Sequence, residues 1–483
     1  MTTEARIAET HSAWVVLLGD RAYKIKKPVV LDFLDFSTRE AREAIAHREV
    51  ELNRRLAPDV YLGVADVVGI DGEVCDHLIV MRRMPDDRRL ATLVQSGAVL
   101  DDEIRDIARV IASFHERAER SPQISDAGGP EALRAKVEND LAQMTTFAPE
   151  VLDHHVLDEV AILVDRYLRG RTSLFDSRVA GGLVRDGHGD LLAADIFCLP
   201  DGPRILDCIE FDDRLRHGDV LADLAFLAMD LERLGAPALA TALLEWYREF
   251  TGESHPATLA HYFVASRALV RSKVACIRVA QGDDAARVEA EALLRLALDH
   301  LRSAQVRLVL VGGSPGTGKS TLALGIADQV RWTVLRSDEV RKDLVGLGHT
   351  TPAGADVGAG IYDRATSDAT YRELLTRARV ALEHGESTIL DASWANASHR
   401  AAAAQLADET SSRLIEVCCT APADVADARI RSRREGRDAS DATPEIAAAI
   451  RTAFDDWPSA HTIDTATAPG ITLAKALEGI ADA

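Results

Sequence analysis

The run Gly313-Ser314-Pro-Gly316-Thr317-Gly318-Lys319-Ser320-Thr321 has the residue types and spacing needed to hold a polyphosphate. Its glycines let the backbone curl until its N–H groups face phosphate oxygens, and a helix starting at the lysine adds its positive end. Lys319 then reaches the β- and γ-phosphates, and Ser320 ligates Mg²⁺. An apolar run, Val306–Val311, precedes the loop, as a strand must. A chance glycine-rich turn needs no such agreement between strand, loop and helix.

Three more groups follow it. Asp391 closes the strand-like Thr388-Ile-Leu390. A carboxylate at that edge completes the Mg²⁺ shell, or alternatively caps a helix. In Arg336-Ser-Asp338-Glu-Val-Arg341-Lys342, Asp338 can take a proton from a hydroxyl, and Arg341 can clamp an anionic acceptor. The competing reading is a capping aspartate before a solvated basic face. The run from Arg429 through Arg433 and Arg437 is the densest basic stretch of an acidic chain. Folded over the nucleotide it neutralises charge on a moving phosphoryl group, and unfolded from it the run is a solvated helix face. Over about 302–483 these motifs resemble the small P-loop kinases of the zeta-toxin, gluconate-kinase and polynucleotide-kinase type. The resemblance implies ATP, Mg²⁺ and transfer to a hydroxyl. It implies Asp338 as the acceptor-side carboxylate, with Arg433 and Arg437 in a lid. It does not carry over an acceptor.

A second constellation lies upstream. Gly187-His188-Gly189-Asp190 leads to Asp195, and then through Arg204-Ile-Leu-Asp-Cys-Ile-Glu210 to Asp212 and Asp213. A carboxylate in a tight glycine-bounded loop can orient a hydroxyl, and two acids at strand edges can hold Mg²⁺. Alone, His-Gly-Asp is equally a structural turn. In this order the segment resembles the catalytic and metal loops of aminoglycoside phosphotransferase-like kinases, cousins of protein kinases. That resemblance spans about 12–300 and implies Asp190 as the catalytic residue. It implies Asp195 in place of a metal-binding Asn and Glu210 in place of a metal-binding Asp, with Asp219 and Asp223 bracing the loop. Asp20-Arg-Ala-Tyr-Lys24-Ile-Lys26 resembles the family's phosphate-touching strand, Lys26 first and Lys24 second. Glu49 matches its helix partner, and Met81-Arg-Arg-Met84 stands at the adenine hinge. Arg267, Arg271 and Lys273 lie in a late helix, which in this family forms much of the acceptor pocket. They either bind an anionic substrate or, in the preferred reading, pair with nearby carboxylates.

These residues need elements to position them. Trp14–Leu18 and Ala22–Lys26 around Gly19-Asp20 predict a hairpin. A charged helix follows over about 37–56, then a strand at Leu78–Met81. Ile104, Ile107, Ala108, Ile111 and Phe114 form a helix face. Short strands are expected near 184–210, and helices over Leu221–Leu234 and Tyr262–Leu301. From Val306 strand and helix alternate, with strands at Leu308–Val311, Thr333–Leu335, Thr388–Leu390, Leu414–Cys418 and Thr462–Asp464, which predicts a parallel sheet. The expected fold is an α+β protein-kinase-like N-terminal domain of two lobes, followed by an α/β P-loop NTPase domain. The expected boundaries are 1–302, with lobes of about 1–84 and 85–302, and 303–483.

Composition narrows the partners. The chain has 483 residues and a formal net charge of -21. That field repels nucleic-acid backbones. Six cysteines, at 75, 198, 208, 276, 418 and 419, show no metal or disulfide spacing. No run of ~18 apolar residues suggests a membrane span, and the polar N-terminus suggests no signal segment, so the cytoplasm is expected. The expected function is an ATP-dependent phosphotransferase with two nucleotide sites acting on a small-molecule hydroxyl. The alternatives are a nucleotide or metabolite sensor with one inactive domain, and a polynucleotide-end kinase. A homodimer is compatible with either.

Overall fold

The computed structural model describes residues 5–9, 12–31, 34–349, 351, 363–433 and 443–482. The chain forms two compact units. One comprises Met1–Ala161, Phe175–His255 and Ala260–Leu301, and the other comprises Ile162–Leu174, Pro256–Leu259 and Arg302–Ala483. Two short pieces that the sequence placed upstream of the 302 boundary thus belong to the second unit. Within it, Thr258 donates to the Gly385 carbonyl (2.6 Å) and buried Arg171 to that of Thr410 (2.9 Å). Nothing in their local sequence signals those long-range bonds.

The first unit opens with a five-stranded antiparallel sheet, ordered Arg6–Glu9, Ala13–Leu18, Arg21–Lys26, Val74–Arg82, Tyr61–Val68. The turn at Gly19 needs φ of 60°, which glycine adopts without strain. Side chains alternate along a strand, so Ala22, Lys24 and Lys26 share one face. Helix Arg39–Asn53 covers that face, capped by the Thr38 hydroxyl accepting from Ala41 N (3.2 Å). A helix-rich region follows. Helix Asp101–Arg117 buries Ile104, Ile107, Ala108, Ile111 and Phe114, the face its spacing predicts. Two short strand pairs, Ile196–Leu199 with Gly202–Ile205 and Val184–Asp186 with His217–Asp219, carry the acidic loops. Helix Val220–Arg233 is buried through most of its length and serves as a central post. The long helix expected over Tyr262–Leu301 is two, Ala257–Ala280 and Ala286–Ser303, broken where Gly282 takes φ of 96°.

The second unit is a parallel five-stranded sheet. Its spatial order is Thr333–Arg336, Thr388–Asp391, Arg307–Gly312, Arg413–Thr420, His461–Asp464. Every predicted strand lies within one of these. Parallel strands are covered on both faces and read as continuous apolar runs, and Leu308–Val311 is wholly buried. One covering layer packs Leu322, Ala323 and Ile326 of helix Lys319–Val330 against Val309, Val311, Ile389, Ile415 and Val417. The loop that follows the central strand therefore lies at the carboxyl edge, where such sheets bind ligands. Among the described residues no helix is long and apolar enough to cross a membrane.

Candidate functional sites

The glycines of the second unit's loop are required by sterics. Gly313 has φ of 133°, and a Cβ there would stand 2.4 Å from the Cys419 carbonyl oxygen and 2.7 Å from Thr317 Oγ1. At Gly316, with φ of 81°, a Cβ would meet the Ala426 carbonyl oxygen at 2.4 Å. Gly318 takes φ of 80° directly before helix Lys319–Val330. Thr317 Oγ1 donates to the Ser314 carbonyl (2.8 Å), and Gly313 N donates to the Ser393 carbonyl (3.0 Å), which fixes the loop's curl. Thr465 Oγ1 donates to Thr317 O (2.6 Å), and Arg429 donates to the Thr465 carbonyl (2.7 Å). Arg429 thereby clamps the loop, a role its place in the arginine-rich run did not reveal. A cavity of about 540 Å³ adjoins the loop, lined by Gly318, Thr321, Gly325, Arg429, Thr465 and Leu473.

Asp391 sits in register with Val311 at the end of the central strand. It is 4% exposed, and it is no helix cap, because Asn396 caps the next helix. Its Oδ2 accepts from Arg336 Nε at 3.3 Å, and its buried Oδ1 has no hydrogen-bond partner among the described residues. A buried carboxylate oxygen left open costs free energy unless something binds it. It suits a hydrated cation. Asp338 lies in the first turn of helix Ser337–Leu344, whose N-cap is Arg336. Buried Arg341 donates to Ser367 Oγ (3.2 Å). Tyr371 hydrogen-bonds Ser393 Oγ at 3.0 Å and accepts from Trp394 N at 3.1 Å. Burial pushes its hydroxyl pKa up, Asp338 adds to that, and Arg341 opposes it, so these three converge. Arg433 ends helix Ala423–Arg433, and Arg437 lies outside the described residues.

The first unit concentrates charge in the same way. Glu49 is fully buried between two ammonium groups, Lys24 Nζ at 2.8 Å and Lys26 Nζ at 2.6 Å. Lys24 also meets Asp207 Oδ1 at 2.6 Å, and Lys26 meets Glu210 Oε1 at 2.6 Å. Burial alone would lower both lysine pKa values. The facing carboxylates overcome it and raise them, Asp207 most for Lys24 and Glu49 most for Lys26.

The two acids that could serve as a second metal position are placed differently. Glu210 is buried against Lys26, where burial and then Glu49 raise its pKa. Asp207 stands beside Asp195 and Asp190 instead. Burial raises the Asp195 carboxyl well above the ordinary range, and the charges of Asp207 and then Asp190 push it further. Asp207 itself is held low by Lys24. It also takes φ of 64°, a left-handed conformation that aspartate tolerates and that gathers at functional sites. The readable signal was Leu206-Asp207, directly after the hairpin strand Gly202–Ile205. Among the described residues no group of three or more His, Cys, Asp or Glu is already arranged as a metal cage.

Asp190 is held by a rigid loop. Asp223 accepts from His188 N and Gly189 N, both at 2.8 Å, and pairs with His115 Nε2 at 3.0 Å. Despite burial, these bonds hold Asp223 well below the ordinary carboxylate range, the His115 bond first. Asp230 accepts from Ala193 N (2.8 Å) at the loop's far end. Asp219, expected as a second brace, caps helix Val220–Arg233 and pairs with Arg178 instead. The Asp190 carboxyl is pushed up to about 6 by desolvation. Arg271 opposes this from 3.9 Å, and Asp207 adds to it. An acid with that value is half ionised near pH 6 and suits proton acceptance from a hydroxyl.

A unit with an antiparallel sheet, a helix-rich region, a lysine–glutamate pair and a braced His-Gly-Asp loop has a protein-kinase-like fold. The second unit, with its parallel sheet and glycine loop, is a P-loop NTPase domain. Residues 308–456 match the family described as AAA domain. The chain is 44% identical over 460 residues to "Uncharacterized protein Rv2004c" of Mycobacterium tuberculosis, covering 95% of this chain and 92% of that one. It belongs to that protein's family. Among solved structures, the GDP complex of aminoglycoside 2'-phosphotransferase-IIIa is 15% identical with a TM-score of 0.40, covering 62% of this chain and 93% of that one. A sugar kinase from Janibacter sp. HTCC2649 is 20% identical with a TM-score of 0.29, covering 36% of this chain and 94% of that one.

Proposed function

We propose that this protein is an ATP-dependent phosphotransferase with one nucleotide site in each unit, acting on small-molecule hydroxyl groups. The observation that carries this reading is the convergence of Lys24, Lys26 and Glu49 with Asp190, Asp195 and Asp207, in a chain that also holds a P-loop. In the first unit Asp190 takes the proton of the acceptor hydroxyl as its oxygen bonds to the γ-phosphorus. The bond to the β-phosphate oxygen breaks and ADP leaves. Lys24, with Lys26 beside it, meets phosphate oxygens. Asp195 and Asp207 would hold Mg²⁺, which neutralises phosphate charge when bound. In the second unit the loop N–H groups, Ser314, Thr317, Lys319 and Thr321 receive the phosphates. Ser320 and Asp391 would hold Mg²⁺, and Asp338 takes the acceptor proton. The division at 302 serves as the functional boundary, and the cytoplasm, with its ATP, as the working compartment.

A metabolite screen for ATP-dependent phosphorylation by the full chain tests this. Asp190→Ala and Lys319→Ala are each expected to remove a separate activity. If neither substitution alters transfer to any acceptor, the reading is wrong. The Asp195 and Asp207 repulsion favours a second reading, in which the first unit binds nucleotide as a sensor without turnover. ATP titration of the Lys319→Ala chain separates the two, since saturable binding with no Asp190-dependent product supports the sensor.

A further inference from the structure

The acceptor side of Asp190 carries more positive charge than its neighbours offset. Helix Ala257–Ala280 presents Arg267 and, one turn on, Arg271, whose Nη1 lies 3.9 Å from Asp190 Oδ2. Arg267 lines a cavity of about 190 Å³ together with Lys136, Arg214, His217, Tyr262 and Ser266. All of these residues belong to the first unit.

The nearby carboxylates already have partners. Asp140 is paired with Lys273 (2.6 Å), and Asp212 with Arg214 (2.8 Å). Asp219 is paired with Arg178, and Asp223 takes His115 and two backbone N–H groups. Asp190 alone is left for Lys136, Arg267 and Arg271. Arg267 is buried, donates to the Ala222 carbonyl (2.9 Å) and lies over the Phe226 ring at 4.7 Å. Lys136 makes no hydrogen bond or ion pair among the described residues. Burial and then the Arg267 charge lower its pKa to about 8, so an anion there would be drawn to it and would raise it again. An acidic chain that gathers unmatched cations at one place invites an anion there. The cavity is smaller than the ~300–1,000 Å³ of drug-sized sites, so it suits one small charged group and not an oligocation.

We propose that the first unit phosphorylates a hydroxyl on an acceptor that itself carries an anionic group, a phosphate ester or a carboxylate, received by Lys136, Arg267 and Arg271. The proposal rests on the kinase reading of that unit and names its substrate class. The anion sets the acceptor's orientation, and Asp190 takes the hydroxyl proton at the other end.

Two measurements test it on the full-length Lys319→Ala chain, which removes phosphate binding at the P-loop. First, inorganic phosphate and acetate are titrated by calorimetry. Binding of either is expected to weaken at least ten-fold in Lys136→Met and in Arg271→Met, with Arg271→Lys recovering part of it. Unchanged binding in both methionine variants, or no binding of either anion, overturns the proposal. Second, ribose 5-phosphate, gluconate, ribose and glucosamine are compared as acceptors. Asp190-dependent turnover of the phosphate ester or of the carboxylate, at least ten-fold above the neutral and aminated sugars, supports it and identifies which anion is read. Equal or better use of ribose or glucosamine overturns the anion proposal and leaves the kinase reading intact. Anion binding that responds to Lys136→Met, without Asp190-dependent transfer to any of the four, supports the anion site and counts against the kinase reading instead.

Discussion

Glu49→Gln keeps the size of the side chain and removes its charge. In the native chain Glu49 has no exposure and lies within 3 Å of both Lys24 and Lys26. The substitution leaves the two ammonium groups with only Asp207 and Glu210, each bound to one of them. Stripping one partner from a buried charge network costs about 3–5 kcal/mol. At about 2 °C per kcal/mol for a unit of this size, melting of the first unit falls by roughly 6–10 °C. Calorimetric unfolding of the full chain reads this, with Lys319→Ala as a control that leaves the first transition in place. The lysines should then separate. Lys24→Met removes the partner of Asp207 and abolishes nucleotide binding to the first unit. Lys26→Met strands the 9%-exposed Glu210 and shows mainly as lost stability. A Glu49→Gln protein that melts within about 1 °C of the parent would refute the reasoning, because the network would then contribute no more than a surface pair.

Three further outcomes are expected. Transfer that depends on Asp190 falls as pH drops through about 6, because the carboxyl must be ionised to accept a proton. Its raised value also means the folded state holds that proton more tightly than the unfolded chain, so stability declines as pH rises from about 4 to about 6. Asp190→Asn should therefore raise the melting temperature at pH 8 and leave it unchanged near pH 3.5, which a pH series of melts checks. Asp223→Ala strands the His188 and Gly189 N–H groups at about 1–3 kcal/mol each, and it removes first-unit activity even where the protein remains folded, as activity assays below the melting point would show. Asp391→Asn lowers turnover at the P-loop roughly 10²-fold, because it removes the charge of a buried carboxylate whose Oδ1 is open to a cation, and Mg²⁺ titration of ATP turnover reads the loss.

The second unit was readable because its signals are local. Continuous apolar runs mark parallel strands, and the glycine loop follows the first of them, so each predicted strand lies within an observed one. The lysine face of the first unit was equally plain, since residues two apart on a strand share a side. Asp207 was not. Ile209-Glu210 matches the expected apolar–acid pair in sequence, while Leu206-Asp207, three residues earlier, is the pair whose acid acts on Asp195. Its left-handed backbone has no sequence signature in a non-glycine residue. Lys273 pairs with a carboxylate as its composition suggests, whereas Arg271 approaches Asp190 because a helix turn brings it there. Inclusion of Ile162–Leu174 in the second unit depends on bonds to residues more than 200 positions away, which no window of sequence contains.

The central position of the P-loop strand also sets the order in which this protein can be made. Leu308 pairs with Thr388 on one side, and Arg307 with Arg413 on the other. A ribosome has therefore emitted Leu308–Val311 long before either neighbour exists. Pairing so distant along the chain is slow, and an unpaired apolar strand is sticky meanwhile. Until residues near 420 emerge, this run is an open edge in need of shelter. The phosphate-binding loop is thus among the first parts of its unit to be synthesised and among the last to acquire its shape.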